Sequence, residues 1–344
     1  MLAREILKYL DIKFINYLFF FFLYLATIIL RGGIMKFYKR IDMREWAKSI
    51  IKNRKQHINI ESKIESVKNE FDRMQIRPFL RLIDIHLSEH CNLNCYSCNH
   101  FAQLAKKEFY DFAKFEADMK RLSFLTGGMI ESIHCLGGEP LLNKNCKDYF
   151  TCIRQHFPYS NIHLLTNGIL LPKQDSMFWQ SCRENNVIIY GTKYPIVDWN
   201  LVQQLCDKNN VVLRFFNDTS VEKESFKVSL NPKGDSPLFE TFKSCWYANT
   251  CTILKNGKIY PCPIAGNISH FNSYFKQNLA ITESDYLNIY DWDMTYAKIL
   301  HFISKPIPFC RYCNFKNISF QPWLQSKKDI YEYYEIESSS KDSK

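Results

Sequence analysis

The chain has 344 residues, of which 46% are hydrophobic and 23% charged, a composition typical of a globular protein large enough for two domains. Its formal net charge is +10, but sixteen Lys and Arg residues and only eight acids precede residue 81, so the remainder is nearly neutral. This distribution argues against a basic nucleic-acid channel through the main body, and we expect no nucleic-acid partner.

The first predicted element is an uncharged run at residues 14–30, which has the minimum length for a membrane-spanning helix. Two interpretations are open. Either this run tethers the protein to a membrane, with the main body kept in the cytoplasm by the basic residues that follow, or translation begins at Met35 and residues 1–34 are a non-native extension. Residues 35–80 form a basic, helix-prone segment.

Beyond residue 80, predicted strands alternate with stretches of helical length. Alternating apolar residues begin at Arg81, and strand signals recur at 130–142, 161–168, 185–195 and 209–218. This order predicts a parallel sheet with right-handed crossovers, whose chemistry collects at the carboxyl ends of the strands. The residues at those ends are the first cysteines, Gly137-Gly138-Glu139, Thr166-Asn167-Gly168 and Thr192.

Thirteen cysteines are present, and eight of them cluster: three in "CNLNCYSC" at 91–98 and five between 245 and 313. In a cytoplasmic protein such clusters predict metal or iron–sulfur ligands. A structural zinc ion would need a fourth ligand for the first group, which His90 or His100 could supply. Alternatively, a [4Fe–4S] cluster on three thiolates keeps one iron open for an outside ligand.

The C-x3-C-x2-C spacing, followed 39 residues later by "GGEP", resembles the radical S-adenosylmethionine (radical SAM) superfamily over roughly residues 80–220. The resemblance implies an α/β fold, a partial parallel (β/α)6 barrel at residues 81–225. It also implies that Cys91, Cys95 and Cys98 hold a [4Fe–4S] cluster with an open iron site, to which S-adenosyl-L-methionine (SAM) binds.

By the same resemblance, "GGEP" engages the methionyl amine of SAM, and polar residues at later strand ends contact the rest of the molecule. Glycines permit close backbone approach, and a carboxylate pairs with an ammonium group. One departure concerns Ser97, since the family usually has an aromatic residue there, and Tyr96 stands one position earlier. The implied SAM-binding residues are Gly137, Gly138, Glu139, Thr166, Asn167 and Thr192.

The second cysteine group reads C-x11-G-x4-C from Cys245 to Cys262, with "CRYC" later, and resembles SPASM and twitch domains. Its Asn256-Gly257 pair predicts a hairpin with Cys262 at the end of the second strand. The resemblance implies a small C-terminal α+β cysteine-rich auxiliary domain at 240–325. Cys251 is either a replacement for Cys245 or an ordinary thiol, and a four-cysteine zinc site stays an alternative. The implied ligands of one auxiliary [4Fe–4S] cluster are Cys245, Cys262, Cys310 and Cys313.

The resemblance implies reductive cleavage of SAM to a 5′-deoxyadenosyl radical that abstracts a hydrogen atom, with electrons from a donor such as flavodoxin or ferredoxin. We expect oxidation or epimerisation of a carbohydrate or other small polar metabolite linked to cell-surface polysaccharide. Modification of a ribosomally made peptide is one alternative, and a non-catalytic, membrane-tethered metal-binding protein is another. Cys135, His134 and His163 are interpreted as structural residues, and the tail at 335–344 as disordered.

Overall fold

The computed structural model describes residues 57–216 and 224–334. The first described element, α1 (His57–Met74), falls in the predicted basic helical segment. The predicted membrane segment at 14–30, the alternative start at Met35 and the tail at 335–344 lie outside the described residues. Within residues 57–216 and 224–334, no helix is both long enough and apolar enough to cross a membrane.

One sheet dominates the fold, and its strands occur in the order β5-β4-β3-β2-β1-β7-β8-β9. The first five strands pair in parallel with one another, and β7 pairs in parallel with β1, whereas the β7–β8 and β8–β9 pairs are antiparallel. The α/β class is therefore confirmed, and the sheet is open, as in a partial barrel. The strands are β1 (Leu80–Ser88), β2 (Ile130–Gly137), β3 (Asn161–Thr166), β4 (Val187–Gly191), β5 (Leu213–Phe215), β7 (Thr252–Lys255), β8 (Lys258–Tyr260) and β9 (Leu287–Asn288).

Helices between the parallel strands cover one face of this sheet. Aspartates at the N-caps of three helices fix where those helices begin, because each carboxylate accepts a backbone N–H of the first turn. Ile83, Ile133 and Ile162 are fully buried in the core beneath them. These crossover helices are α2 (Phe112–Thr126), α3 (Cys146–His156), α4 (Ser176–Glu184) and α5 (Trp199–Lys208).

The predicted hairpin forms, and it joins the main sheet. Asn256 and Gly257 have φ angles of 53° and 74°, the left-handed pair that a tight turn between β7 and β8 requires. Strand β7 pairs in parallel with β1, with Ile83 opposite Thr252. The prediction that Cys262 ends the second strand is wrong by two residues, because β8 ends at Tyr260 and Cys262 instead caps the next helix.

A second sheet pairs β6 (Glu224–Leu230) with β10 (Cys313–Pro322) in antiparallel fashion. Three helices belong to this part of the chain: α6 (Leu238–Ser244), α7 (Pro263–Phe275) and α8 (Tyr296–Ile303). Buried aromatic residues such as Phe271 and Phe309 build a second core here. The chain divides between Glu65 and Ser66, and both sheets lie in the second of the two units.

Candidate active site

The three cysteines of the first group lie in the loop that follows β1, and all three line one cavity of about 280 Å³. Cys95 is held from two sides: Trp323 Nε1 donates to its sulfur at 3.3 Å, and Tyr194 Oη lies 3.4 Å from the same atom. The segment around Trp323 pairs with the loop through a backbone bond from Tyr96 N to Leu324 O. The cysteine loop is therefore held in place by a segment more than 200 residues later in the chain, around Trp323.

The glycine pair fixes the other side of this loop. A Cβ on Gly137 would lie 2.0 Å from Ser88 O, and one on Gly138 would lie 2.2 Å from the carbonyl of His90. Gly137 also has a φ of 136°, which residues with side chains rarely adopt. Gly138 N donates to Ser88 O at 2.8 Å. Both glycines line the cavity, and they let β2 approach the cysteine loop closely.

Glu139 is fully buried, and its carboxylate braces the end of β3. It accepts hydrogen bonds from Thr166 Oγ1 at 2.7 Å, Asn167 N at 2.9 Å and Leu141 N at 3.1 Å. Burial raises the pKa of Glu139 to about 7, although these hydrogen bonds favour the charged form. The contact with the SAM ammonium stays a prediction; the geometry shows a carboxylate that holds the next strand end in place.

The predicted polar residues at the strand ends lie in the same cavity. Thr166, Asn167 and Thr192 all line it. Asn167 Nδ2 donates to Asn92 Oδ1 at 2.7 Å and lies 3.8 Å from the sulfur of Cys91, so the end of β3 contacts the cysteine loop. Of the nine residues predicted for the first site, eight therefore line one cavity, and Glu139 supports two of them.

The four cysteines predicted for the second site also come together. Cys245, Cys262, Cys310 and Cys313 line a small cavity of about 20 Å³ with apolar side chains around them. Burial raises the pKa of Cys262 to about 12 and that of Cys310 to about 11, so none of these thiols ionises readily without a cation. The fifth cysteine, Cys251, does not line this cavity, and burial and then the charge of Asp84 raise its pKa to about 12.

The two histidines considered as zinc ligands make other contacts. His90 Nδ1 lies 3.1 Å from Ser88 Oγ, and His100 Nδ1 lies 2.8 Å from His86 Nε2. Among residues 57–216 and 224–334, no group of three His, Cys, Asp or Glu side chains is arranged to hold a single metal ion.

Sequence reasoning missed a row of polar side chains across one face of the main sheet. Asp84 Oδ1 lies 3.0 Å from His134 Nδ1, and the His134 ring stacks on His163 at 5.0 Å, with Tyr190 next at 4.7 Å. Burial, together with the charges of His134 and Arg214, lowers the pKa of His163 to about 4. The sequence signal was the polar residues at every second position of β1, Asp84, His86 and Ser88, which share one face of a strand. Cys135, interpreted as a core residue, is fully buried.

A second missed cluster surrounds Glu89 just before the cysteine loop. Its Oε2 lies 2.6 Å from both Lys255 Nζ and His270 Nε2. Burial opposes ionisation of Glu89, but hydrogen bonds with His270 and His86 and the charge of Lys255 outweigh it and lower the pKa. The cluster ties the hairpin and α7 to the end of β1, an arrangement between distant segments that no local pattern reveals.

Comparisons with known proteins agree with these motifs. No protein-family profile matches the chain. Over 156 residues, 44% of this chain and 45% of the relative, it is 26% identical to GTP 3′,8-cyclase of Synechocystis sp.. Over 94 residues, 27% of this chain and 29% of the relative, it is 24% identical to GTP 3′,8-cyclase of Heliobacterium modesticaldum. The resemblance to radical SAM enzymes is confirmed.

The similarity to these radical SAM enzymes is partial, because the chain spans less than half the length of the curated relatives it matches. Among solved structures, that of BtrN in complex with AdoMet and 2-DOIA is similar, with a TM-score of 0.44 and 18% identity, over 69% of this chain and 93% of that one. The auxiliary-cluster domain at 240–325 stays a prediction.

Proposed function

We propose that the protein is a radical SAM enzyme whose reacting centre is the cavity lined by Cys91, Cys95 and Cys98. The observation that carries this proposal is the convergence of three thiols, two glycines and three strand-end polar residues on one cavity at the carboxyl ends of β1 to β4. The residues were singled out from the sequence by the cysteine motif, the "GGEP" motif and the polar residues at two later strand ends. A [4Fe–4S] cluster with SAM bound to it would need these residues to line one cavity, and they do.

The donor set fits a [4Fe–4S] cluster with one open iron. Cys91, Cys95 and Cys98 supply three thiols, and the cavity beside them leaves space for a further ligand. When bound, the cluster supplies the electron that cleaves SAM to methionine and a 5′-deoxyadenosyl radical. The chain's own part is to hold and orient these groups, because the contacts of Tyr194 and Trp323 with Cys95 fix that sulfur.

The strand ends would hold SAM itself. Gly137 and Gly138 bring backbone close to the cysteine loop, while Thr166 and Asn167 offer a hydroxyl and an amide to the cavity. Glu139 keeps Thr166 and Asn167 in register through its hydrogen bonds. The predicted contact of Glu139 with the SAM ammonium stays part of this proposal, and its hydrogen bonds with Thr166 and Asn167 would also position the end of β3.

The second cysteine group would hold an auxiliary [4Fe–4S] cluster. Four thiols line one apolar cavity, a complete ligand set that needs no outside group. Such a cluster, when bound, could accept the electron that a substrate radical loses as it becomes the oxidised product. A four-cysteine zinc site is the alternative, and iron and zinc analysis of protein purified without oxygen separates the two.

The substrate would be a carbohydrate or another small polar metabolite that is oxidised or epimerised after loss of a hydrogen atom. An electron donor such as flavodoxin or ferredoxin would reduce the first cluster. A peptide substrate remains an alternative, as does a membrane-tethered metal-binding protein without catalysis. Only the last predicts that the reduced protein leaves SAM intact.

The deciding experiment measures 5′-deoxyadenosine after protein reconstituted anaerobically with iron and sulfide receives dithionite and SAM. We expect product from the wild type and none from a variant with Cys91, Cys95 and Cys98 all changed to Ala. The matched control is Cys152→Ala, which removes a thiol from the core, outside both cavities. Equal product from the triple variant would overturn the proposal.

A further inference from the structure

A short segment near the end of the described chain lies along the cysteine loop. Ser326 N donates to Asn94 O at 2.7 Å, and Asn94 Nδ2 donates to Ser326 O at the same distance. Between these contacts, Gln325 pairs with Cys95 in an antiparallel bridge. Residues 323–326, here called the C-terminal strap, therefore run antiparallel beside the loop that carries the predicted cluster ligands.

The strap is anchored at both of its ends. On one side it continues directly from β10, which pairs with β6 as far as Pro322. On the other side, the Glu332 carboxylate accepts hydrogen bonds from Ser326 Oγ and Lys327 N, both at 2.6 Å. Ser326 and Glu332 are both buried. Buried polar groups that satisfy one another make a segment rigid, so the strap keeps one position beside the loop.

Trp323, the first residue of the strap, donates a hydrogen bond to a predicted cluster ligand. Its Nε1 lies 3.3 Å from Cys95 Sγ, and an indole N–H can only donate. The Tyr194 ring packs edge-to-face against the indole, with centroids 5.6 Å apart, and holds it in this orientation. Trp323 does not line the cavity of the three cysteines, so it has no direct part in binding SAM or a substrate.

The donor to Cys95 differs in kind from the one to Cys91. The sulfur of Cys91 accepts the backbone N–H of Leu93 at 3.3 Å, a bond within the loop. Such a bond is present whatever the side chain of the donor residue, whereas the bond to Cys95 depends on residue 323 being Trp. Phe at that position would supply a ring without the N–H. The effect of this one donor can therefore be separated from that of packing.

A hydrogen bond to a ligand sulfur changes how easily a bound iron–sulfur cluster is reduced. Reduction adds one negative charge, and an N–H donor at the sulfur stabilises that charge, so the donor raises the reduction potential. Water that reaches the sulfurs stabilises the same charge. A substitution that also removed the ring would combine the two effects with opposite signs, so an informative variant keeps the ring and loses only the N–H.

We infer that Trp323 is a positioning residue that raises the reduction potential of the cluster held by Cys91, Cys95 and Cys98. This inference rests on the proposed function, because it requires a [4Fe–4S] cluster on these three thiols. The role of the N–H is to make the cluster reducible by an electron-donor protein. Trp323 directly follows β10, whose first residue, Cys313, is a predicted ligand of the second site. One strand therefore joins the second site to the residue that adjusts the first.

The test is a redox titration, followed by electron paramagnetic resonance, of protein reconstituted anaerobically with iron and sulfide. The first cluster is identified as the signal that the variant with Cys91, Cys95 and Cys98 changed to Ala lacks. In Trp323→Phe we expect the ratio of reduced to oxidised first cluster, at a fixed solution potential, to fall about three- to tenfold. This is part of the effect of a hydrogen bond to a charged group, because the oxidised cluster accepts the bond as well. A tenfold fall corresponds to a potential lower by about 59 mV for one electron.

A second variant carries β-(3-benzothienyl)alanine at position 323, which keeps the shape of Trp and replaces the N–H by sulfur. It should show the same fall, and it decides should Trp323→Phe fail to fold. Both variants should retain the iron of the wild type, because the three thiols remain. Trp292→Phe is the matched control, since it removes an indole N–H from a side chain that is 94% exposed and lines neither cysteine cavity. The control should keep the potential of the wild type.

Three results would overturn the inference. An unchanged potential in both variants at position 323 would leave Trp323 as a packing residue. A raised potential would show that its main effect is to exclude water, and a loss of iron from the first site would make it a residue needed for cluster assembly. The proposed function is tested separately. A lowered potential in a protein that forms no 5′-deoxyadenosine would overturn that function and keep the role of Trp323, whereas 5′-deoxyadenosine formation with an unchanged potential would overturn only the present inference.

Discussion

The two cysteine sites differ in how much of their surroundings is open and polar. The first has three cysteines on one loop beside a cavity of about 280 Å³ lined with amides, hydroxyls and backbone. The second has four cysteines from three segments, in a cavity of about 20 Å³ walled by side chains such as Phe242, Ile264 and Phe309. A site that must admit other molecules needs space and unsatisfied polar groups. A closed ligand set needs neither.

The largest expected effect comes from replacing one cysteine of each site in turn and comparing the two variants. Cys95→Ala should abolish 5′-deoxyadenosine formation, because the first site loses one of its three ligands, whereas Cys262→Ala should leave that step measurable. If each site holds a four-iron cluster, each variant should lose about four of about eight irons per chain. Iron analysis beside the product assay checks both. Equal loss of product in the two variants, with the first site's iron retained in Cys262→Ala, would show that the sites do not act separately.

The close approach of β2 to the cysteine loop gives the next largest effect. Gly138→Ala places a Cβ 2.2 Å from the carbonyl of His90, so we expect a loss of more than about 3 kcal/mol in the free energy of unfolding. Iron at the first site should fall with it. The control is Gly266→Ala in α7, where the nearest side-chain atoms lie at 3.5 Å and stability should stay equal or rise. Chemical denaturation of the metal-free proteins measures both.

Glu139 makes the stability of the first site depend on pH. Its pKa is about 7 in the folded protein and 4.5 for an ordinary glutamate, so the folded state binds the proton more tightly. Stability from this group is therefore greatest below about pH 4.5 and falls by up to about 3 kcal/mol as the pH rises through 7. Unfolding of wild type and Glu139→Gln between pH 4 and pH 8 checks this. A wild-type-minus-variant difference that rose with pH would contradict it.

The smallest expected effect tests which cysteines belong to the second site. Cys251 lies outside the cavity that the other four cysteines line, so Cys251→Ala should keep the full metal content. The change in unfolding free energy should be about 1 kcal/mol or less. Cys245→Ala, by contrast, should lose the metal. Metal analysis of the two variants side by side tests the assignment, and metal loss in Cys251→Ala alone would reverse it.

Local patterns predicted a large part of this fold. The cysteine loop, the "GGEP" turn and the polar strand ends were each placed at the carboxyl end of a strand, and the structure puts eight of those residues on one cavity. The Asn256-Gly257 turn was also predicted correctly. These features depend on a few neighbouring residues, which the sequence shows directly.

Features that depend on long-range pairing were not predictable in this way. Nothing near Thr252 indicates that β7 lies beside β1, and nothing near Glu224 indicates its pairing with β10. The contact between Asp84 and His134 required knowing the register of two strands. Likewise, the sequence did not show that Glu139 is buried and accepts three hydrogen bonds, because two of its donors lie on the next strand end.

The parallel pairing of β7 with β1 has a consequence for truncation. Strand β1 lies between β2 and β7, so both of its edges are occupied. A shortened protein that ended near residue 240 would leave the apolar strand that precedes the cysteine loop with a bare row of backbone donors and acceptors. Exposed strands of this kind pair with other chains and aggregate. The C-terminal third thus covers one edge of β1, the first strand of the sheet in chain order.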